Sequence, residues 1–423
     1  MLAYSGGLDT SVAVAWLQEQ HDVEVITLTV DVGGGSLRPG AAQRAISAGA
    51  TRAYVVDARR TFVEDFVWPA LRAGAMYQGA YPLATALARP LIAELLVAVA
   101  HAEGADTVAH GCTGKGNDQV RFDVAVHALD AALQVVAPMR VGMGMSRDQE
   151  IDYARERGIE VPVTHASPYS VDVNLWGRSI ETGVLEDPWI APPADVYAWT
   201  VDPGAAPSPV EVSIGFRAGV PVTLDGQPVD PVELVEQLNA LAGAHGVGRI
   251  DHVEDRLVGI KSREIYEAPA AVVLHGAHRA LESLTLSKEQ LRFNRVVADE
   301  MARATYDGLW FSSLLTDLRR YVNAAQQHVS GEVRVRLDHG TATAIGRRSA
   351  ASLYDRALAT YDTGDAFDHA SAVGFISIFG LPLRTEAARH GAAPESAQSM
   401  LDELPVAVSE APATDAVREA VPG

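Results

Sequence analysis

Short apolar runs alternate with helical spacing from residue 1 to about 165. Residues 23–30, 53–56, 107–109 and 135–138 read as strands, and amphipathic stretches separate them. This alternation predicts an α/β domain with a doubly wound parallel sheet. A helix is expected over 12–20 and another over 91–103, with Pro90 in the first turn of the second and Gly104 as its stop. After Pro162 the texture changes to segments punctuated by Pro and Gly, including 191–193 and 202–209. Strands over 210–216, 220–224, 331–337 and 341–345, with helices over 231–243 and 289–309, predict a second, α+β domain. From about Glu386 the chain is rich in Ala, Pro and Glu, and beyond Pro405 apolar periodicity fades, so the last twenty or so residues are expected to be a mobile tail. The domain boundaries expected are 1–165, 166–384 and an extension over 385–423.

A length of 423 residues fits two or three domains, and 48% apolar with 21% charged residues is globular composition. No apolar run is expected to span a membrane, and the first residues lack a secretory signal. Cys112 is the single cysteine, so neither a disulfide nor a thiolate metal cluster can form within the chain; a cytoplasmic protein is expected. A formal charge of −20 argues against extended contact with nucleic acid. His110, His245 and His252 show no metal-ligand spacing, so no metal site is expected in the protein itself.

The most informative stretch is Ala3-Tyr4-Ser5-Gly6-Gly7-Leu8-Asp9-Thr10-Ser11, a turn between the first strand and the first helix. Adjacent glycines let main-chain N–H groups wrap an anion, three hydroxyls add donors, and the helix start adds partial positive charge. The Lys-Ser/Thr ending of a Walker A loop is missing, as is dinucleotide-type glycine spacing, so a pyrophosphate group is the better fit; an ordinary Gly-Gly turn is the alternative. A second glycine-rich motif, Gly111-Cys112-Thr113-Gly114-Lys115-Gly116-Asn117-Asp118-Gln119-Val120-Arg121, also joins a strand to a helix. Asp118 and Arg121 share a face there and can present opposite charges to a zwitterion, or simply pair with each other. Loops 5–9, 30–35 and 110–118 all leave the carboxyl ends of strands, where open α/β sheets bind ligands.

The first loop resembles that of the ATP pyrophosphatases. With the second motif, and with the stretches 81–90, 168–175, 246–251 and 254–266, the chain closely resembles the argininosuccinate synthase family over roughly residues 1–384. That resemblance implies a nucleotide-binding domain, an α+β synthetase domain and a C-terminal oligomerisation segment. It implies the condensation of citrulline with aspartate, using ATP and Mg2+, to argininosuccinate, AMP and pyrophosphate. Carried over by position, it assigns Ala3, Tyr4, Ser5, Gly6, Gly7, Leu8, Asp9, Thr10, Ser11, Val30 and Gly111 to ATP. Thr113, Asn117 and Asp118 go to aspartate. Tyr81, Thr85, Asn117, Arg121, Ser170, Ser179, Glu254 and Tyr266 go to citrulline; Thr85 stands in because Ala86 occupies a position where a serine is usual. Asp9, Asp118 and Arg121 are the catalytic assignments, with Asp118 the nearest candidate to accept a proton from the aspartate amine.

In this reading the first loop grips the β and γ phosphates while the ureido oxygen of citrulline attacks the α-phosphorus, and aspartate then displaces AMP from a citrullyl-adenylate. The family likeness also implies a homotetramer in which residues 373–383 reach across subunits. This sequence departs from the usual pattern in having only Met1 and Leu2 ahead of the Ala3 motif, which predicts a short central strand, and in having Glu264 where glycine is common. Another adenylating ATP pyrophosphatase and a catalytically silent nucleotide-binding homologue are the alternative functions.

Overall fold

The computed structural model describes residues 1–37, 39–159 and 169–391. The chain divides into two compact units, residues 1–354 and residues from Asp355 onward. Within the first, strands β1 (Leu2–Ala3), β2 (Ile26–Asp31), β3 (Arg52–Asp57), β4 (Thr107–Ala109) and β5 (Gln134–Val136) form one sheet in the order β3-β2-β1-β4-β5. Its strands pair in parallel throughout, as the strand-helix alternation predicts. The central strand is indeed short: two residues, set between Thr27 and Leu28 on one side and Ala109 on the other. Backbone bonds from Tyr4 to Leu28 (2.8 Å) and from Ala109 to Met1 (2.7 Å) extend its grip on both neighbours.

Nine further strands build two antiparallel sheets. β6 (Ser170–Asn174), β7 (Gly177–Glu181), β11 (Arg249–Asp255) and β12 (Lys261–Glu267) run in the order β11-β12-β7-β6. β8 (Val210–Arg217), β9 (Val220–Leu224), β10 (Gln227–Pro228), β13 (Gly331–Asp338) and β14 (Thr341–Arg348) run in the order β10-β9-β8-β13-β14. Helices Pro231–Ala244, Pro269–Thr285, Lys288–Tyr306 and Ser313–Ala325 complete this α+β part.

Several element ends differ from expectation for identifiable reasons. The first helix covers Leu8–His21, beginning directly at the glycine loop, and Asp22 closes it in the left-handed conformation at φ 52°, so residues 23–25 belong to the connection and β2 starts at Ile26. The helix expected from residue 91 begins about two turns earlier, at Ala84, and Pro90 lies inside it. Tyr81 accepts a hydrogen bond from the Thr85 N–H at 2.8 Å, satisfying one of the orphan donors of that early start. The helix expected to reach Leu309 stops at Tyr306, because Gly308 takes φ +79°. A Cβ at Gly308 would stand 2.8 Å from the Cα of Arg121, so this turn presses against the helix Asp118–Leu129.

The helix Ala84–Glu103 needs a second correction. Its 20 residues are apolar and long enough to cross a membrane by length and composition, contrary to the sequence-based expectation. Leu96, Val97 and Ala100 pack with Leu28, Val108 and Phe122 under the parallel sheet, while Leu83, Leu87 and Leu91 enter the large core with Trp176, Met301 and Tyr306. One helix therefore ties the parallel sheet to the antiparallel half. A second tie is the run of three glycines after β2: a Cβ on Gly34, at φ +68°, would lie 2.3 Å from the carbonyl oxygen of Asn174, and Leu175 N–H donates to the Val32 carbonyl at 2.9 Å.

The unit from Asp355 contains helices Arg356–Ala359, His369–Phe379 and Leu381–His390. Val373, Ile376, Ile378 and Phe379 are each more than 60% exposed, an apolar surface too contiguous to be ordinary. The expected mobile tail and the expected boundary near residue 165 lie outside the described residues.

Candidate active site

Two adjoining cavities open beyond the carboxyl ends of β1, β2 and β4. The larger, about 600 Å3, is lined from the first loop by Ala3, Tyr4, Ser5, Gly7, Leu8, Asp9 and Thr10, from β2 by Val30, and from the second motif by Gly111. Gly6 turns the loop at φ +72°, and Gly7 precedes the helix with no side-chain cap, which leaves the first-turn N–H groups to a ligand. Ser5 and Thr10 hydroxyls sit 3.1 Å apart across the loop. Gly6 and Ser11 do not line the cavity: Ser11 is buried beneath it and bonds Tyr4 at 2.8 Å, so it braces the loop from behind.

Three charged groups in this cavity, Arg89, Arg147 and Asp172, were not assigned a role from the sequence, and His110, set aside there as structural, lines it too. His110 accepts the Cys112 N–H at Nδ1 (3.2 Å), which fixes Nε2 as the donor to Asp123 at 2.7 Å and sets the start of the second motif. Cys112 lines the wall as a thiol that burial pushes upward in pKa, unsuited to nucleophilic work. Arg89 and Asp172 lie inside stretches already matched to the family, whereas nothing in the local pattern marked Arg147.

The smaller cavity, about 100 Å3, brings together Tyr81, Thr85, Asn117, Asp118, Arg121, Ser179, Glu254 and Tyr266, residues separated by up to 185 positions in sequence. Asp172 lines both cavities, and Arg89 stands at their shared wall, its Nη2 bonded to Asp118 at 2.7 Å and also to Asp172. Asp118 takes a second guanidinium, Arg121 Nη1, at 2.8 Å. Burial pushes the Asp118 carboxyl up, but Arg89 and Arg121 outweigh it and hold the group below the usual carboxylate range. Arg121 Nη2 is buried without a partner among the described residues. Such an orphan donor is costly unless a ligand completes it. Glu254 accepts the hydroxyls of Tyr266 and Tyr306, each at 2.5 Å.

Thr113 and Ser170 line neither cavity; both are exposed, Thr113 in the glycine-rich loop and Ser170 at the start of β6 opposite Glu181. Glu181, Arg256 and Glu264 join the smaller cavity instead. Arg256 Nη2 bonds Glu264 at 2.7 Å and contacts Glu181 as well, so one guanidinium serves both carboxyls. Burial first, then Glu181, pushes Glu264 up to about 9, and Arg256 only partly opposes this. A carboxyl whose folded pKa is raised binds its proton more tightly when folded, so its contribution to stability is complete below about 4.3 and is lost as pH climbs toward 9. Replacement of Glu264 by Gln, which keeps the bond to Arg256, is therefore expected to raise the melting temperature by a few degrees at pH 8 and by little at pH 5. Parallel melting curves across that range would count against this assignment.

Comparison with known proteins places the chain in a family. Residues 1–160 match the model of the arginosuccinate synthase N-terminal HUP domain, and residues 169–386 match that of the arginosuccinate synthase C-terminal domain. An argininosuccinate synthase of Symbiobacterium thermophilum is 55% identical over 394 residues, covering 92% of this chain and 97% of that one. One of Dehalococcoides mccartyi is 53% identical over 388 residues, covering 92% and 95%. One of Oceanobacillus iheyensis is 52% identical over 412 residues, covering 97% and 98%. With the parallel sheet, its glycine loop and the two matched domains in place, the chain belongs to the argininosuccinate synthase family.

Proposed function

We propose that the two cavities divide the family's reaction between them, ATP in the larger and citrulline in the smaller, with aspartate held at Asn117 and Asp118 near their common wall. The observation that carries this is the wall itself: Asp172 faces both cavities and Arg89 bridges it to Asp118, so a ureido oxygen bound in one can meet a phosphorus bound in the other. The family joins citrulline to aspartate through a citrullyl-adenylate, releasing pyrophosphate and then AMP.

The first loop receives the terminal phosphates on its N–H groups and hydroxyls, and Arg147 and Arg89 supply countercharge along the cavity. Arg121 offers its unpaired Nη2 to the citrulline carboxylate, while Glu254 and the Ser179 hydroxyl receive its α-ammonium. Asp118, held ionised by two arginines, is a weak base at neutral pH, so it serves better to hold the aspartate ammonium than to remove its proton. Thr113 and Ser170 reach their assigned substrates only if the loop and strand edge move inward on binding.

Mg2+ fits as a companion of ATP. Among the described residues no three metal-ligating side chains cluster, and Mg2+ characteristically rests on phosphates, waters and one or two carboxylates; of the lining carboxylates Asp172 is paired with Arg89, which favours Asp9, on the loop. Bound there, the ion would screen phosphate charge.

We assign the domains as 1–165, 166–384 and 385–423, supported by family matches that end at 160 and resume at 169. We assign the protein to the cytoplasm and give it no nucleic-acid or membrane partner, in keeping with its charge and the buried face of the helix Ala84–Glu103. The exposed apolar residues of His369–Phe379 support a homotetramer, which light scattering reporting a monomer would exclude. The decisive assay of function is incubation with ATP, Mg2+, citrulline and aspartate: AMP and pyrophosphate should form only when citrulline is present, and formation that is independent of citrulline or requires tRNA would point elsewhere.

A further inference from the structure

Tyr306 belongs to no motif, lines neither cavity and is fully buried, yet it touches three of the residues that build the smaller cavity. Its hydroxyl accepts from Asn117 Nδ2 at 2.7 Å and donates to Glu254 Oε1 at 2.5 Å. Its carbonyl accepts from Arg121 Nε at 2.9 Å, and the Arg121 guanidinium lies over its ring at 4.8 Å. Asn117 is pinned from its other end, its Oδ1 accepting the Leu257 N–H at 2.9 Å, so the phenol settles which way the amide faces.

The ring is itself immobilised. Tyr77 stacks on it with centroids 3.6 Å apart, and Tyr81 meets it edge-on at 6.4 Å. The chain then turns at Gly308, whose left-handed φ and close approach to Arg121 bring the Tyr306 carbonyl against the helix Asp118–Leu129. Buried polar networks of this kind rigidify a site when every member is satisfied.

We propose that Tyr306 is a positioning residue for the condensation: its hydroxyl and carbonyl set Asn117, Arg121 and Glu254 as one unit, so that the citrulline and aspartate subsites are formed together. Asn117 belongs to both subsites and Glu254 and Arg121 to citrulline, an assignment that rests on the functional reading above. A phenol behind the wall therefore acts on two substrates and not on the third, because none of the Tyr306 contacts reaches the first loop.

The test is Tyr306→Phe, which keeps the stacked ring and removes only the hydroxyl. Steady-state kinetics should show KM for citrulline and KM for aspartate rising together, each by about tenfold, the scale of one lost partner at a buried polar group. ATP affinity by calorimetry should stay within about twofold, since that cavity is untouched. A Phe variant with all three values unchanged overturns the inference. So does one in which ATP affinity weakens as much as the others along with the melting temperature, since that signals general loosening. Should Tyr306→Phe fail to fold, Gly308→Ala, which displaces the carbonyl from Arg121 while keeping the phenol, should raise the citrulline KM alone with ATP affinity held, and an unchanged citrulline KM overturns the inference. Glu254→Gln run in parallel separates the two levels of reasoning. If it raises the citrulline KM while Tyr306→Phe changes nothing, only the positioning role fails; if Glu254→Gln also leaves citrulline untouched, the assignment of the cavity falls and this inference with it.

Discussion

Asp118→Ala is expected to lower the rate of argininosuccinate formation by about a thousandfold while ATP still binds. Asp118 neutralises Arg89 on one side and Arg121 on the other, at 2.7 and 2.8 Å, in a site where both arginines are largely withdrawn from water. Removing one partner of a buried ion pair typically costs about 3–5 kcal/mol because the remaining charge loses its compensation. Spent at the transition state, that range corresponds to a factor of roughly 10^2 to 10^4 in rate. The variant also loses the group that holds the aspartate ammonium, so the decline should be steepest in kcat/KM for aspartate. The check is a coupled assay for AMP release together with calorimetric titration of ATP. Near-normal product formation would remove Asp118 from the chemistry, and loss of ATP binding would show damage spreading through Arg89 into the larger cavity.

Gly6→Val should act on the opposite side of the shared wall. Gly6 sits at φ +72°, a conformation that a β-branched residue reaches only with strain of about 1–3 kcal/mol. The loop can relieve that strain only by rotating the peptides that aim its N–H groups at the phosphates. ATP affinity is therefore expected to fall by about ten- to a hundredfold, with the parallel sheet intact because Leu2 and Ala3 pair through their own backbone. Citrulline binding measured without nucleotide should be almost unaffected. A Val variant with wild-type ATP affinity would contradict the assignment of this loop. The two substitutions thus separate the cavities experimentally, one acting on condensation and the other on the nucleotide.

Local pattern made the parallel sheet, the glycine loop and most strands of the second half legible, because side-chain periodicity and glycine placement are properties of neighbouring residues. Helix starts were less legible. Pro90 looked like a beginning and is an interior residue, since the true start at Ala84 depends on the Tyr81 hydroxyl taking the Thr85 N–H, a bond that no propensity contains. The apolar length of that helix was likewise invisible while its start was placed at the proline.

By itself the sequence determined the reaction class, since the two glycine motifs and the matched stretches carry the chemistry in consecutive residues. Only the tertiary structure decided how that chemistry is assembled: Arg89 between two aspartates, Glu181 and Glu264 sharing Arg256, and Tyr306 behind Asn117, Arg121 and Glu254. The physical reason is that charge compensation and hydrogen-bond satisfaction in a buried site are set by distance in space, and these partners come from different helices and strands, Tyr306 lying 189 and 185 residues from Asn117 and Arg121.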